Sequence, residues 1–462
     1  MVALLGLTSA ASGAVKGVPH IAWVGKKSPF CGNVTYGLTV TEALKRRGYG
    51  VSFIHFDIPA GREDGLVAAL TESSPPAATI NSPGTGGNGH LNMRRRSSTL
   101  SADEVAIRDS ELSDVALPYL VKSQVYTIPS PGAQRELRDS LARIKPDLVH
   151  ASLTLSPLDF RLPDLCQQLA IPLVATFHPA FDAGLRHLTA GTQQLTYQLY
   201  APALSRFDRV IVFSQLQSGI LQRLGVPAQR LEVIPNAVDV NRWAPAGAAT
   251  GPGEAQLHRH SLDQRLGRER VFLYMGRIAT EKNLEALLRA WRLVRPEGCR
   301  LVIVGDGPLR PSLELVYPDR DILWWGHEPD QAMRIALLQR AEVFVLPSLV
   351  EGLSLALLEA MACGAACVAT DAGADGEVLE GGAGIVLRTQ GVTSQLRTLL
   401  PLLVEQPVLT LELGRRARQR VLECYSLAKS LDRLERLYGN LLNHAPVPEH
   451  NAPAPLRGLP LG

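Results

Sequence analysis

The sequence predicts an α/β protein of two domains, each a parallel sheet covered by helices on both faces. Short apolar runs alternate with helical patterns almost from end to end. The alternation stops at a polar, Gly- and Pro-containing stretch near residues 241–268 and then starts again. A chain of 462 residues, 46% apolar and 20% charged, is also long enough to bury two cores.

The first series opens with a strand at His20–Val24 and a helix over Thr39–Arg47. Further strands are expected at Val51–Phe56, Asp147–Ala151, Pro172–Phe177, Arg209–Phe213 and Leu231–Pro235. Between about Glu72 and Leu100 the run is rich in Ser, Pro, Gly and Asn and ends near Arg94-Arg95-Arg96, which reads as a disordered surface excursion. The second series opens at Val271–Met275 and continues with Leu301–Val304, Val343–Leu346, Cys367–Thr370 and Gly384–Leu387. The chain therefore divides into a lead (1–17), a first Rossmann-like domain (18–240), a linker (241–268), a second Rossmann-like domain (269–427), an amphipathic helix (428–443) and a Pro-rich tail expected to be disordered (444–462).

Composition excludes some classes. With 47 basic and 44 acidic side chains the formal charge is 47 − 44 = +3, which gives no general reason to expect a nucleic-acid partner. Splitting the basic residues is sharper: 39 are Arg and 8 are Lys, and between Lys145 and Lys429 the single lysine, Lys282, stands among 26 arginines. Six cysteines without a C-x-x-C pair suit a reducing compartment, and Cys363 with Cys367 reads as two small buried thiols. No apolar run reaches the roughly 18 residues of a spanning helix, and Met1–Val15 lacks a basic residue ahead of its apolar part, so neither a membrane span nor export is expected.

The chemistry concentrates in the second half. Gly276-Arg277-Ile-Ala-Thr-Glu-Lys282-Asn283 follows a strand and precedes a helix, where a glycine admits a phosphate and two cations suit a diphosphate. In a chain that otherwise prefers Arg, Lys282 is harder to assign to mere solubility. Gly305-Asp306-Gly307 is a tight turn, a weak signal alone. Glu351-Gly352-Leu353-Ser354 leads into the helix Leu355–Ala362, which carries Glu359. Glu351 is expected to fold back over that helix N-terminus, placing the amides of Gly352–Ser354 and two carboxylates around one ligand. The only Asp-x-Asp triplet, Asp319-Arg-Asp321, precedes a strand in a turn and weakly indicates a metal site; none is assigned.

Taken together, Gly276-Arg277 with Lys282, Gly305-Asp306-Gly307, the Glu351/Glu359 pair and Ala360-Met-Ala-Cys-Gly364 through Thr370-Asp371 resemble the retaining nucleotide-sugar glycosyltransferases of the GT-B fold, family 4. The resemblance implies two domains facing across a cleft, with the 428–443 helix crossing back to the first. It implies that Arg277 and Lys282 neutralise the donor diphosphate, Glu359 holds the ribose, and Glu351 with Gly352, Leu353 and Ser354 contacts the transferred sugar. Base recognition falls near Gly326-His327. Leu353 and Ala356 replace a frequent aromatic and a frequent proline of the family. In the first half the match is looser: Gly32, in Pro29–Asn33, falls where the family has a phosphate-facing glycine loop, and His178 where a histidine lines the acceptor side. Asn236 and Asp239 match the family's interdomain turn.

The runs Trp23–Tyr36 and Ala190–Tyr200 also resemble cyanobacterial glycolipid glycosyltransferases of the digalactosyldiacylglycerol synthase type. That resemblance implies a galactose or glucose donor, with UDP as the expected carrier and no cofactor, and a galactolipid acceptor at the cytosolic face of a membrane. Lys26, Lys27 and Lys45–Arg47 would then assist on anionic lipid, unless the last three simply end a helix. A soluble acceptor and an inactive nucleotide-sugar sensor stay open. A dinucleotide oxidoreductase does not fit, because the one G-x-G-x-x-G match, Gly84–Gly89, opens neither half.

Overall fold

The computed structural model describes residues 18–28, 32–57, 114–123, 126–179, 190–247 and 254–443. The lead, the stretch 72–100 with its arginines and G-x-G-x-x-G match, the tail, and Pro29–Cys31 lie outside the described residues.

The first domain contains β1 (His20–Gly25), β2 (Gly50–Phe56), β3 (Asp114–Leu117), the antiparallel pair β4 (Tyr119–Lys122) and β5 (Thr127–Pro129), then β6 (Leu148–Ser152), β7 (Leu173–Thr176), β8 (Arg209–Val212) and β9 (Leu231–Val233). Seven of them form a parallel sheet in the order β3-β2-β1-β6-β7-β8-β9. The second domain contains β10 (Arg270–Met275), β11 (Cys299–Val304), β12 (Ile322–Gly326), β13 (Val343–Leu346), β14 (Ala366–Thr370) and β15 (Ile385–Leu387), a parallel sheet in the order β12-β11-β10-β13-β14-β15.

Central strands such as β6 and β13 are buried along their whole length because helices cover both faces, which is why they read as continuous apolar runs. The apolar pattern did not mark β3, β4 and β5: they are three or four residues long and partly exposed, β3 at the edge of the sheet and β4 with β5 as a separate pair. The helix expected over Thr39–Arg47 spans Gly32–Arg46. Its first turns carry no charge to define a polar face, and they are fixed by tertiary contacts: Asn33 Nδ2 donates to Leu153 O at 2.9 Å, and Val34 and Tyr36 are buried. The stretch expected as a linker contains the helix Glu254–Leu266.

In both sheets the chain reverses its lateral direction beside its first strand, between β1 and β6 and between β10 and β13. Ligands of open α/β sheets bind at such switch points, beyond the carboxyl ends of the strands. Two chain crossings join the domains and run side by side: Val238 N donates to Tyr425 O at 3.0 Å and Leu427 N to Val238 O at 2.9 Å. The final helix, Leu427–Asn443, then lies on the first domain with Leu431, Leu434 and Tyr438 inward at helical spacing. Tyr438 OH meets His150 Nδ1 at 2.5 Å, and Arg47 holds Asp432 at 2.7 Å, Glu435 at 2.5 Å and Ala428 O at 3.1 Å.

Candidate active site

A cleft of about 1100 Å³ opens between the domains, at the carboxyl ends of both sheets. Gly32 and His178 line it from the first domain, and Arg277, Lys282, Glu351, Gly352, Leu353, Ser354 and Glu359 from the second. Gly32 does so as the first residue of a helix rather than from a loop.

Beyond β10, Gly276–Ile278 rests directly on the Gly305-Asp306-Gly307 turn. Ile278 N donates to Asp306 O at 2.9 Å, and Leu309 N to Ile278 O at 3.1 Å. Gly305 has φ +139°, and a Cβ there would lie 1.9 Å from Gly276 O; one on Gly307 would lie 2.3 Å from Ile278 O. Two backbones thus meet where no side chain fits, which gives the turn the specificity that its sequence alone lacked. Arg277 projects from this platform with a half-exposed side chain, its carboxylate neighbour Glu281 at 3.7 Å.

Lys282 is placed differently from the expectation. Its Nζ donates to Glu351 Oε1 at 2.5 Å, and Ser348 Oγ donates to the same oxygen at 2.8 Å. Burial pulls the ammonium down, but Glu351 more than offsets it, so Lys282 titrates above an ordinary lysine. Lys282 therefore reaches the cleft as half of a buried ion pair. Glu351 correspondingly does not fold over the helix N-terminus. The carboxylate there is Asp375, whose Oδ1 accepts from Ser354 N at 2.9 Å, so this amide is occupied. Ser354 caps the helix through its side chain, accepting from Leu357 N at 3.3 Å. Gly373, at φ +58°, lets the Asp375 segment press on the Glu351 loop: a Cβ there would lie 2.2 Å from Glu351 O. Burial, with the Glu351 charge adding, drives the Asp375 carboxyl well above the usual range. Asp375 follows Thr370-Asp371 by a few residues in the Ala-Gly-Ala-Asp-Gly run, and that glycine-flanked acid was the signal available for it.

Glu359 projects into the cleft from the helix Leu355–Ala362, with Arg334 also on the wall. Burial pushes its carboxyl up to about 7, and the Arg334 charge opposes. In the unfolded chain the group ionises at its ordinary value of 4.5. The native state thus holds this proton over a range in which the unfolded state has lost it, and stability falls as pH rises from about 4.5 to about 7. Glu359→Gln is expected to remove that slope. Thermal unfolding at several pH values across the window should show wild type losing ground to the variant as pH rises; parallel curves would contradict it.

The first-domain wall is built on His178, beyond β7. Its Nε2 lies 2.7 Å from Ser152 Oγ, and its ring packs edge-on against Tyr36 and Phe213 at 5.0 and 5.1 Å. Burial, with Lys26 adding, pushes its imidazole down to about 3, so it is neutral at physiological pH. Ser152, behind His178, and Arg334, on the cleft wall, carry no motif and were not expected there, whereas Asn33 belongs to the Pro29–Asn33 run and lines the cleft from the helix. Asn236, matched above to the family's interdomain turn, also lines the cleft and ties the domains, donating to Leu353 O at 3.0 Å.

Other expected groups are engaged elsewhere. Asp319 binds Arg292 at 2.7 Å and Asp321 accepts from Trp291 Nε1 at 2.7 Å, so the Asp-x-Asp triplet braces a helix. Cys363 and Cys367 are buried free thiols, and burial raises both. Of the basic residues weighed for a lipid surface, Lys26 is buried on the cleft wall, Lys27 pairs with Asp114 at 2.5 Å, and Arg47 clamps the final helix. Lys45 and Arg46 stay exposed at a helix end, the latter beside Glu42 at 2.9 Å.

Comparison with known proteins agrees with this geometry. Residues 32–242 match the Glycosyltransferase Family 4 model and residues 269–403 match Glycosyl transferases group 1. The two domains together make the chain a GT-B protein of these glycosyltransferase families. Among curated relatives, α-maltose-1-phosphate synthase of Mycolicibacterium smegmatis is 29% identical over 54% of this chain and 67% of its own. Sulfoquinovosyl transferase SQD2 of Arabidopsis thaliana is 28% identical over 61% of this chain and 54% of its own. The chain thus spans between about half and two thirds of the length of these relatives. The fold is shared with Anabaena HepE, solved with UDP-glucose, at a TM-score of 0.64 and 16% identity over 91% of this chain and 100% of that one. It is shared equally with sucrose-phosphate synthase of Thermosynechococcus elongatus, at 0.64 and 18% over 92% and 99%. Among the described residues no helix is long and apolar enough to cross a membrane.

Proposed function

We propose that the chain is a retaining hexosyltransferase that moves galactose or glucose from a nucleotide diphosphate sugar, with UDP as carrier, to an acceptor hydroxyl. The observation that carries this reading is the meeting, in one interdomain cleft, of Arg277, the Lys282–Glu351 pair and Glu359 on the second domain with His178 on the first. As the bond to the anomeric carbon breaks, negative charge builds on the leaving diphosphate. Arg277 and Lys282 are the cations set to stabilise it, together with the positive end of the helix Leu355–Ala362, so we assign the charge-stabilising role to protein groups. Glu359 accepts hydrogen bonds from ribose hydroxyls. Glu351 and the amides of Gly352 and Leu353 face the transferred sugar, and His178 hydrogen-bonds it from the opposite wall. Retention at the anomeric carbon follows the family.

For the acceptor we propose a membrane galactolipid, giving digalactosyldiacylglycerol, with the protein peripheral on the cytosolic face. Besides the two resembling runs, Leu120, Val121, Tyr126 and Ile128 are exposed on the β4–β5 pair, whose Ser123 O accepts from the cleft residue Lys26 at 3.3 Å. An apolar edge there suits a lipid better than the basic patch, most of which is paired. Incubation with a panel of nucleotide sugars and total membrane lipid, followed by mass analysis, should yield one new glycolipid. No transfer from any donor would overturn the enzymatic reading. Transfer only to soluble sugars, with the protein left in the supernatant after vesicle sedimentation, would overturn the lipid acceptor.

A further inference from the structure

The carboxyl ends of β6 and β7 and the start of the helix that follows β1 meet behind His178, and their hydrogen bonds leave one arrangement of protons. Asn33 Nδ2 donates to Leu153 O at 2.9 Å, which fixes the amide and turns Oδ1 toward Ser152. Ser152 Oγ donates to that Oδ1 at 2.8 Å. A serine hydroxyl has a single proton, so once it is given to Asn33 the oxygen can only accept from its other neighbour. That neighbour is His178 Nε2, 2.7 Å away, which must therefore carry the imidazole proton. Nδ1 is then the bare nitrogen, on a side chain that lines the cleft. The ring cannot turn over freely to exchange its nitrogens, because Tyr36 and Phe213 pack edge-on against it.

We propose that Asn33 and Ser152 are positioning residues that lock His178 in the Nε2–H tautomer, so that Nδ1 acts purely as a hydrogen-bond acceptor and the site selects a neutral hexosyl donor over one bearing a carboxylate or sulfonate at the group it meets. This rests on the reading of the chain as a hexosyltransferase. An acceptor nitrogen is satisfied by a sugar hydroxyl, which brings its own proton. A uronate or a sulfonated sugar brings only lone pairs, so one buried acceptor would face another. The depressed imidazole of His178 closes the alternative in which the ring gains a second proton and becomes a donor. Discrimination of about 100-fold in kcat/KM is expected from such a mismatch.

The test begins with the full chain labelled with ¹⁵N-histidine and no substrate. Long-range ¹H–¹⁵N correlation at neutral pH, with His178→Gln to assign the signals, should show His178 protonated at Nε2 alone. In Asn33→Ala the Ser152 hydroxyl has lost its acceptor and is free to donate to Nε2, so the imidazole proton should move to Nδ1. Ser152→Ala removes the oxygen altogether and should give a mixture of tautomers, which serves if the first variant folds poorly. With UDP-hexose and the matching UDP-uronate as donors, the preference of about 100-fold in wild type should shrink to about tenfold or less in either variant. A wild-type signal protonated at Nδ1 or at both nitrogens, a tautomer unmoved by Asn33→Ala, or an unchanged donor preference would each overturn the proposal. If no nucleotide sugar is turned over at all, the hexosyltransferase reading fails and the selectivity falls with it, while the nitrogen shifts still decide the tautomer.

Discussion

Lys282→Ala is expected to lower turnover by about 100-fold or more and, unlike an ordinary surface substitution, to destabilise the fold as well. The two effects have different origins. Loss of turnover follows from removing a cation from the developing charge on the diphosphate. Loss of stability follows from Glu351, whose side chain is 9% exposed and would be left ionised with Ser348 as its remaining partner. Breaking a buried pair from one side costs on the order of 3–5 kcal/mol. Adding Glu351→Gln to Lys282→Ala removes the stranded charge, so the double variant should recover much of the urea midpoint while turnover stays low. Near-normal transfer by Lys282→Ala would sink the assignment of Lys282 to the diphosphate. A midpoint no better in the double variant than in the single one would sink the account of the stability loss.

Gly305→Ala is expected to act as strongly without touching any side chain of the site. The new methyl would sit 1.9 Å from Gly276 O, a distance that only backbone movement can relieve, and at φ +139° an L-residue is strained besides. The backbone conformation alone costs about 1–3 kcal/mol. Movement of Gly276 carries Arg277 with it, and a displacement near 1 Å at a positioning group lowers kcat/KM by about 100-fold. Gly298→Ala separates the two contributions. Gly298 has φ +66° with nothing within 4 Å of its added Cβ, and it precedes β11 at the end of the sheet away from the cleft. Steady-state kinetics with thermal unfolding should therefore show Gly298→Ala less stable but fully active, and Gly305→Ala impaired in both. Equal activity in the two would show that Arg277 does not depend on this contact.

Much of the architecture was legible in the chain because a parallel strand buried on both faces leaves a continuous apolar run, as in Phe272–Met275 or Val343–Leu346. Short edge strands such as β3 leave no such trace. The helix that begins at Gly32 hid its first two turns for a related reason: Val34 and Tyr36 face the core, but the residues around them are too uniformly neutral to show a polar side.

The sequence by itself determined the residue types and their order along the second domain: Gly276-Arg277, Lys282, the Gly-Asp-Gly turn, Glu351 and Glu359, all within loops and one helix that follow strands. These are local, since each lies in the loop or helix that directly follows a strand and inherits its place from the sheet. Only the tertiary structure decided how those residues pair. Lys282 meets Glu351 across 69 positions, Ser354 meets Asp375 across 21, and Asn33, Ser152 and His178 come together from the start of a helix and the ends of two strands. Spacing along one element cannot encode such contacts, because a carboxylate beside an ammonium and a serine oxygen between an amide and an imidazole exist only once separate elements are brought to the same switch point.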